Sequence, residues 1–400
     1  MKQKIASNET QPTKQREENV DTLNQVIIVG GGLAGLTNAI HLSQKGVRVS
    51  LVERHVYPKH KVCGEYISNE VLPYLSYLGI DPLSAGAVDI SRFELSTVEG
   101  KLIKAQLPLG GFGISRYALD ELLYKRALSQ GVTVIQDTVT QIAYDDVEDR
   151  FTVSRKNGGH IIGHIVIGAY GKRSNLDVSL GRSFIKERSP YLGVKCHYSG
   201  DFPSDVVALH NFAGGYCGVS KVENDVINFC YLADYATFKK YKSIQDFQQN
   251  ILCKNPHLKE ILASSRPLFE SPISISQVSF LPKPTVEQHV LMSGDSAGMI
   301  HPLCGNGMSM AIHSALLLSE AILQYLDGPI KDRQMLEAEY NKRWRKTFRK
   351  RLLAGRFFNS LFGKDSSLQL GMKALSYAPF LLPYFIKQTH GEPLMLGGHH

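Results

Sequence analysis

Several features are scarce or missing in this 400-residue sequence. It has only six cysteines, and no two of them show the C-x-x-C spacing of metal or redox sites. No apolar run reaches the ~18 residues that a membrane-spanning helix needs. Internal repeats and low-complexity tracts are also missing. These absences argue against a disulfide framework, predict no bound metal and favour a cytoplasmic globular protein with reduced thiols.

Acidic residues are missing from one stretch near the C-terminus, and this stretch explains the net charge of +8. The rest of the chain is therefore close to neutral, which argues against a nucleic-acid partner. The eight basic residues of this stretch are Lys342, Arg343, Arg345, Lys346, Arg349, Lys350, Arg351 and Arg356.

A strand–helix–strand pattern follows a polar N-terminal stretch, residues 1–24, that we expect to be a disordered tail. Residues 25–29 form a short apolar run that predicts a buried parallel strand. The helical spacing of residues 33–45 and the apolar run of residues 47–52 complete a βαβ unit.

Three glycines mark the first turn of this unit, Gly30-x-Gly32-x-x-Gly35. One glycine permits the sharp turn, the second lets a pyrophosphate approach the backbone, and the third allows close packing of helix and strand. The unpaired N–H groups of the helix start attract phosphate. Glu53, 23 residues after Gly30, is placed to accept both ribose hydroxyls. The motif predicts binding of FAD or NAD by these residues and by the neighbouring Arg54.

A second glycine-rich turn follows the predicted strand at residues 290–292 and opens a helix. Its carboxylate, Asp295, is placed to bind ribityl hydroxyls. The helix start can direct backbone N–H groups at the flavin pyrimidine, where negative charge develops in the reduced ring. The predicted contacts in this later part of the turn are Gly305, Asn306, Gly307 and Met308.

These patterns together predict an α/β fold. We expect a Rossmann-like FAD-binding domain, interrupted by an antiparallel-sheet substrate domain and followed by a C-terminal helical tail. The predicted FAD-binding domain comprises residues 25–75, 115–178 and 287–332, the substrate domain residues 76–114 and 179–286, and the helical tail residues 333–400.

The sequence resembles the geranylgeranyl reductase family, within the p-hydroxybenzoate-hydroxylase-like FAD superfamily. The matching segments are GGGLAGL at residues 30–36, KVCG at 61–64, the helix start at 116–123, and the GDSAG…P…GNG turn at 294–307. The resemblance implies that Arg116 contacts the flavin chain or phosphates. It also implies that Cys63 and Gly64 lie close to the isoalloxazine ring.

Two segments depart from the pattern of these relatives. Tyr170 stands where the superfamily usually has an aspartate, and a tyrosine has far less acceptor capacity. This departure argues against the superfamily's usual handling of NAD(P)H, the candidate electron donor, at this motif. The reductase signature Tyr-x-Trp-x-Phe-Pro is reduced to its tyrosine, Tyr216. The substrate pocket is therefore expected to differ from an isoprenoid diphosphate site.

Three residues are candidates for catalysis. Cys63 is a candidate thiolate whose pKa Lys61 could lower, and the alternative is a small residue lining the flavin pocket. Glu65 is a candidate proton donor. Tyr216 either lines a substrate cavity or fills a strand face.

Three functions are compatible with these features. The first is an FAD-dependent reductase or dehydrogenase acting on carbon–carbon bonds of a lipophilic or polyketide-like substrate. The second is a flavin-dependent monooxygenase that hydroxylates an aromatic or polyketide compound. The third is a flavin-binding protein without turnover.

The basic stretch at residues 341–358 has helical spacing, with Trp344, Phe348 and Leu352 on one face. One interpretation is a solvated helix that packs this stripe on the cofactor domain. The other is a surface for anionic lipid heads or an acidic carrier protein, which would allow membrane association and delivery of a lipophilic substrate.

Overall fold

The computed structural model describes residues 24–362, apart from Arg188, Gln277, Ser279 and 302–304, together with residues 382–395. The expected disordered tail lies outside the described residues, except for Asn24, which begins the first strand.

The strands and helices alternate in the N-terminal half and again near residue 290. In chain order the strands are β1 (Asn24–Val29), β2 (Val49–Glu53), β3 (Tyr66–Ser68), β4 (Val88–Ser96), β5 (Leu102–Gly113), β6 (Thr133–Gln136), β7 (Val139–Asp145), β8 (Arg150–Arg155), β9 (His160–Gly168), β10 (Tyr191–Ser199), β11 (Val206–Phe212), β12 (Gly215–Val222), β13 (Val226–Asp234), β14 (Arg266–Pro267), β15 (Ile273–Ser276), β16 (Val286–Glu287) and β17 (Val290–Met292). The α-helices are α1 (Leu33–Gln44), α2 (Leu72–Tyr77), α3 (Arg116–Ser129), α4 (Asn175–Ser179), α5 (Tyr235–Phe238), α6 (Ile244–Asn250), α7 (Pro256–Ser264), α8 (Gly307–Leu326), α9 (Arg333–Phe362) and α10 (Leu382–Thr389).

The first sheet has the strand order β16-β17-β9-β1-β2-β6. Strand β1 pairs in parallel with β2 and β9, and β17 pairs in parallel with β9. The β7–β8 hairpin joins the sheet antiparallel, alongside β9. Helices α1, α3 and α8 pack around the sheet, whose central residues Val26, Ile27 and Ile28 are fully buried. The predicted Rossmann-like α/β architecture is confirmed.

The second sheet has the order β14-β10-β13-β12-β11-β4-β5-β3, with β15 also paired to β10. Its pairs are antiparallel except for β4 with β11. Residues of β3 lie in the range predicted for the FAD-binding domain, yet they pair with β5 in this second sheet.

The two faces of the second sheet differ in character because side chains alternate along each strand. On one face Phe229 and Tyr231 of β13 pack against Phe247 of α6 in a separate core. On the other face Lys195 of β10 and Asn228 of β13 contact the segment of residues 61–65 that follows β2. This second face therefore meets the cofactor domain.

The C-terminal helices pack on both sheets. The inner side of α9 buries Leu336, Tyr340, Trp344 and Phe348 in the core of the first sheet. The Tyr340 hydroxyl donates a hydrogen bond to the Met292 carbonyl at 2.5 Å. Helix α10 contacts β5 and α9. Within the described part of the chain, no helix combines the length and apolar character needed to cross a bilayer.

Candidate functional site

The first glycine turn connects β1 to α1 and has the geometry that its sequence predicts. Gly30 has φ +105°, and a Cβ there would lie 2.5 Å from the Ala169 carbonyl oxygen. A Cβ at Gly35 would collide with the Gly30 carbonyl oxygen. Gly32 differs, because the nearest atom to its Cβ position is a guanidinium nitrogen of Arg116 at 3.8 Å. The first and third glycines therefore serve backbone packing, and the second faces open space at the start of α1.

Glu53 ends β2 next to this turn. Its two carboxylate oxygens accept backbone hydrogen bonds from Gly31 at 2.6 Å and from His55 at 2.9 Å. The Tyr57 hydroxyl donates to the Gly31 carbonyl at 2.6 Å. Each carboxylate oxygen keeps a second lone pair for a ligand hydroxyl. The side chain of Arg54, by contrast, is exposed and donates to His55 at 3.1 Å.

Arg116 begins α3 and lies beside the glycine turn. Its guanidinium donates two hydrogen bonds to Asp120, at 2.7 and 2.9 Å, one helical turn along. Lys61 donates to the same carboxylate at 2.7 Å. These cations hold the pKa of Asp120 below its usual range, against the effect of its burial. A bidentate partner fixes the guanidinium at the start of α1, where it adds positive charge to the helix terminus.

The second turn follows β17 and brings Asp295 toward the same region. Gly294, with φ +64°, packs against Ala34 of α1, because a Cβ there would lie 2.8 Å from the Ala34 methyl. Burial raises the pKa of Asp295, and the positive charges of Lys283, Lys172 and Arg116 oppose that shift. Among the described residues its carboxylate receives no hydrogen bond, so its acceptors remain available for ligand hydroxyls.

Buried cations surround this second turn. The ammonium of Lys283 donates to the backbone carbonyls of Lys172 and Asp295, at 2.7 and 2.8 Å. Burial lowers the pKa of both lysines to about 8. The guanidinium of Arg182 donates to the Ser296 carbonyl at 2.9 Å. The turn is thus fixed through its backbone, which leaves the Asp295 side chain uncommitted.

The later part of this turn leads into α8. Gly305 has φ +63°, and Asn306 directly precedes the helix, which begins at Gly307. The Asn306 side chain is buried and donates to the Thr389 carbonyl at 2.8 Å, so it ties the turn to α10. Met308 is buried in the main core. The start of α8 has no side-chain cap, which leaves backbone N–H groups for a ligand.

The segment that carries Cys63 and Gly64 lies under the second sheet. Asn228 of β13 donates to the carbonyls of both residues, at 3.2 and 2.8 Å. A Cβ at Gly64 would meet nothing within 4 Å, so open space adjoins the segment. Burial raises the pKa of the Cys63 thiol, and the nearby Arg116 opposes this shift. The expected lowering of the Cys63 pKa by Lys61 is wrong in direction, because burial outweighs the nearby positive charges. The Lys61 ammonium pairs with Asp120 instead.

Glu65 lies at the centre of a buried ionic cluster that sequence reasoning missed. One carboxylate oxygen accepts hydrogen bonds from the Arg116 backbone N–H, at 2.7 Å, and from the Lys195 ammonium. The other pairs with His197 Nε2 at 2.8 Å. The side chains of Glu65 and Lys195 are fully buried. Despite that burial, Lys195 and His197 hold the pKa of Glu65 below its usual value, so the carboxylate is ionised near neutral pH rather than a proton donor.

Tyr216 lies elsewhere, in an apolar cluster between the second sheet and the turn after Asp295. It is 7% exposed and packs with Leu232 and Val278, and with Met299 of that turn. The Tyr216 ring is 6.1 Å from the His301 ring, which is itself 4.4 Å from Phe280. The structure therefore places Tyr216 among apolar and aromatic groups beside the second turn, and separates it from the Glu65 cluster.

The residues present fit FAD. The uncapped start of α1, the open space at Gly32 and the adjacent Arg116 guanidinium suit a pyrophosphate. Glu53 retains acceptors for a ribose, and Asp295 retains them for a ribityl chain. Tyr170, the departure noted in the sequence, donates to the Met292 sulfur at 3.4 Å and fills space behind the first turn.

Comparisons with known proteins agree with this geometry. A family model described as an FAD binding domain matches residues 24–352. Conditioned medium factor receptor 1 from Dictyostelium discoideum is 23% identical over 361 residues, which cover 82% of this chain and 68% of that protein. Digeranylgeranylglycerophospholipid reductase from Methanococcus vannielii is 23% identical over 412 residues, which cover 92% of this chain and 98% of that protein.

A solved structure shows the same fold over nearly the whole chain. The flavin-dependent brominase Bmp2 has a TM-score of 0.72 at 18% identity, and the match covers 91% of this chain and 93% of that one. The fold is therefore shared well beyond the glycine turn, from the first sheet to the second.

Proposed function

The chain belongs to the FAD binding domain family and is an FAD-dependent oxidoreductase, and from this premise we propose that it is a reductase or dehydrogenase acting on carbon–carbon bonds of a lipophilic or polyketide-like substrate. The observation that carries the proposal is the cluster of Tyr216, Leu232, Val278 and Phe280 beside the turn that follows Asp295. Apolar and aromatic side chains in that position favour a substrate with little charge.

One relative supports the reductase reading. Digeranylgeranylglycerophospholipid reductase, as its name states, reduces a phospholipid with geranylgeranyl chains, and it aligns over 98% of its own length. Here only Tyr216 remains of the reductase signature, so we propose a lipophilic substrate other than an isoprenoid diphosphate.

Bound FAD would supply hydride transfer at its ring. The residues of the chain would hold it and prepare the substrate. Gly32, Arg116 and Glu53 would bind the adenosine diphosphate part, and Asp295 the ribityl chain. The apolar cluster would orient the substrate and exclude water. Tyr191, Tyr216 and His301 contribute polar atoms to that cluster. We assign Tyr216 and His301 the handling of a proton at the substrate.

The proposed electron donor is NAD(P)H. Tyr170 occupies the position where the superfamily usually has an aspartate, and its hydroxyl is directed at the Met292 sulfur. The donor is identified by mixing the oxidised holoprotein with NADH or NADPH without oxygen and following loss of the flavin absorbance. Bleaching by neither nucleotide would overturn this assignment.

A monooxygenase is the second candidate. The apolar cluster that suits a lipophilic substrate would also keep water from a reactive oxygen species.

One experiment separates the two candidates. The holoprotein is reduced without oxygen and mixed with a panel of polyprenyl and alkylphenol compounds, first without oxygen and then with ¹⁸O₂. Substrate-dependent reoxidation of the flavin without oxygen, with a product that has gained two hydrogens, supports the reductase. In the dehydrogenase direction, an unreduced holoprotein would instead bleach with substrate.

Incorporation of ¹⁸O into the product, with oxygen uptake equal to product formed, would overturn the reductase proposal and support the monooxygenase. Flavin binding without any turnover across the panel would favour the third possibility, a non-catalytic flavin-binding protein. Matched variants Tyr216→Phe and Tyr235→Phe test the site, because Tyr235 is 43% exposed and is not one of the side chains that form the cluster. Only Tyr216→Phe should slow the reaction.

A further inference from the structure

Helix α9 has two faces with opposite roles. Its inner face is committed to the fold, since Trp344 and Phe348 are 6% and 0% exposed. The Trp344 ring lies directly over Gly298 of the second turn, 2.8 Å from the position a Cβ would take there. The helix is thus fixed against the FAD-binding domain, and its outer face plays no part in that packing.

The outer face is a strip of exposed cations. Its members recur at helical spacing over residues 342–350, about 12 Å along the helix axis. The basic strip consists of Lys342, Arg345, Lys346, Arg349 and Lys350, all of them exposed.

Three other cations of α9, Arg333, Arg343 and Arg351, form ion pairs. In the described part of the chain most of the basic strip forms none. Arg343 pairs with Glu339 at 2.7 Å, and Arg351 pairs with buried Glu70 at 3.5 Å. Within the strip, Lys342 lies 4.0 Å from Glu339. Among the ion pairs of the described residues, none involves the remaining four. Like charges three or four residues apart repel one another and weaken a helix. The chain thus maintains this charge against a local cost in stability.

An apolar side chain ends the strip. Leu353 is 50% exposed and lies three residues beyond Lys350, on the same side of the helix. A row of cations followed by an exposed leucine is typical of a helix that lies in the headgroup region of a membrane. The convex face of a single helix encloses no groove for a peptide, whereas a bilayer presents many anionic groups over a broad surface.

We propose that the basic strip and Leu353 form a docking surface for anionic phospholipid membranes. The cations would lie at the phosphates, and Leu353 would enter the boundary between headgroups and acyl chains. Because the inner face of α9 contacts the second turn through Trp344, docking would place the FAD-binding domain beside the bilayer. The proposal is independent of the reaction that the protein catalyses.

The test is cosedimentation of the holoprotein with vesicles of phosphatidylcholine, with or without phosphatidylglycerol. Binding should require phosphatidylglycerol and weaken as salt is added. The variant with Arg345, Lys346, Arg349 and Lys350 changed to Gln should bind these vesicles roughly a thousandfold more weakly, at about 1 kcal/mol for each charge removed. Leu353→Gln should weaken binding several-fold while keeping the salt dependence.

A matched control removes the same charge from the other domain. Lys240, Lys242, Lys254 and Lys259 are exposed on and around α5–α7, and changing all four to Gln should leave vesicle binding intact. Equal loss in both variants, or no vesicle binding by the unmodified holoprotein, would overturn the proposal. A third outcome would also overturn it. If the holoprotein binds poly-glutamate through the basic strip but binds no vesicles, the partner of the strip is an acidic protein.

Discussion

Glu65 shows how one residue links the two sheets. Its backbone has φ +54°, which side chains other than glycine rarely adopt. Lys195 and His197 reach it from the second sheet, and the Arg116 N–H reaches it from the first domain. The buried carboxylate of Glu65 and the buried ammonium of Lys195 each offset the cost of removing the other from water.

We therefore predict that Glu65→Gln destabilises the protein by about 3–5 kcal/mol, because it leaves the Lys195 ammonium buried without a counter-charge. The double variant Glu65→Gln with Lys195→Met should recover most of that loss. Urea unfolding of the wild type, the single variants Glu65→Gln and Lys195→Met, and the double variant gives the coupling free energy between the two side chains. If the losses of the two single variants simply add in the double variant, the ionic coupling proposed here does not exist.

His41 predicts a pH dependence of stability. Burial, with a smaller contribution from Lys45, lowers its pKa to about 4 from the ordinary 6.5. The unfolded chain therefore takes up this proton first as the pH falls, so stability is lost between about pH 6.5 and 4. The shift corresponds to roughly 3 kcal/mol for this single group.

The measurement is the free energy of unfolding across that pH range. His41→Gln should make its pH dependence shallower, whereas the same change at exposed His160 should leave it as it is. An unchanged slope in His41→Gln would contradict the assignment.

Local motifs predicted the residues close in sequence to each turn, and missed those that arrive from far away. Gly30 and Glu53 could be found because the spacing of a βαβ unit fixes their positions, and Asp295 because it lies in a glycine-rich turn directly after a predicted strand. Lys195, His197 and Asn228 could not, since they contact residues 61–65 from more than a hundred positions along the chain. No local pattern indicates such a partner.

At the scale of elements, the packing of helix α9 on the second turn requires a glycine at position 298. A side chain at Gly298 would meet the Trp344 ring at 2.8 and 2.9 Å. We predict that Gly298→Val displaces this ring and costs about 1–3 kcal/mol, as overpacking of a core usually does.

Trp344 is the sole tryptophan of the chain, so tryptophan fluorescence reports the surroundings of this one ring. Gly298→Val should shift the emission toward that of an exposed indole. The control is Gly218→Ala, because a Cβ there lies no closer than 3.6 Å to its neighbours. Unshifted emission in Gly298→Val would show that the helix does not rest on this turn.

Elements with strong periodicity were predictable and short ones were not. The apolar runs of β1 and β2 and the helical spacing of α1 identified the βαβ unit. The stripe of α9 packs on the FAD-binding domain, as one of the two interpretations expected. Strand β3 has three residues, too few to show a period, and its pairing with β5 depends on the second sheet.

For the whole molecule, two distant stretches of sequence come together at one place in the fold. The turn at residues 30–35 and the turn at residues 294–307 meet through Ala34 and Gly294. The Arg116 guanidinium lies beside the first turn and interacts electrostatically with Asp295 of the second. Composition and motif spacing predicted this arrangement, whereas the substrate face depends on how the second sheet packs.

The most direct test of this account is a titration of the apoprotein with FAD, comparing the wild type with Gly32→Glu. Gly32 has φ −83° and only Arg116 near its Cβ position, so the variant should fold with unchanged thermal stability. The added carboxylate would repel the pyrophosphate and should weaken FAD binding by about a hundredfold or more, equivalent to ~2.7 kcal/mol. Equal FAD affinity in the folded variant, or a folded wild type that binds no FAD, would contradict the account.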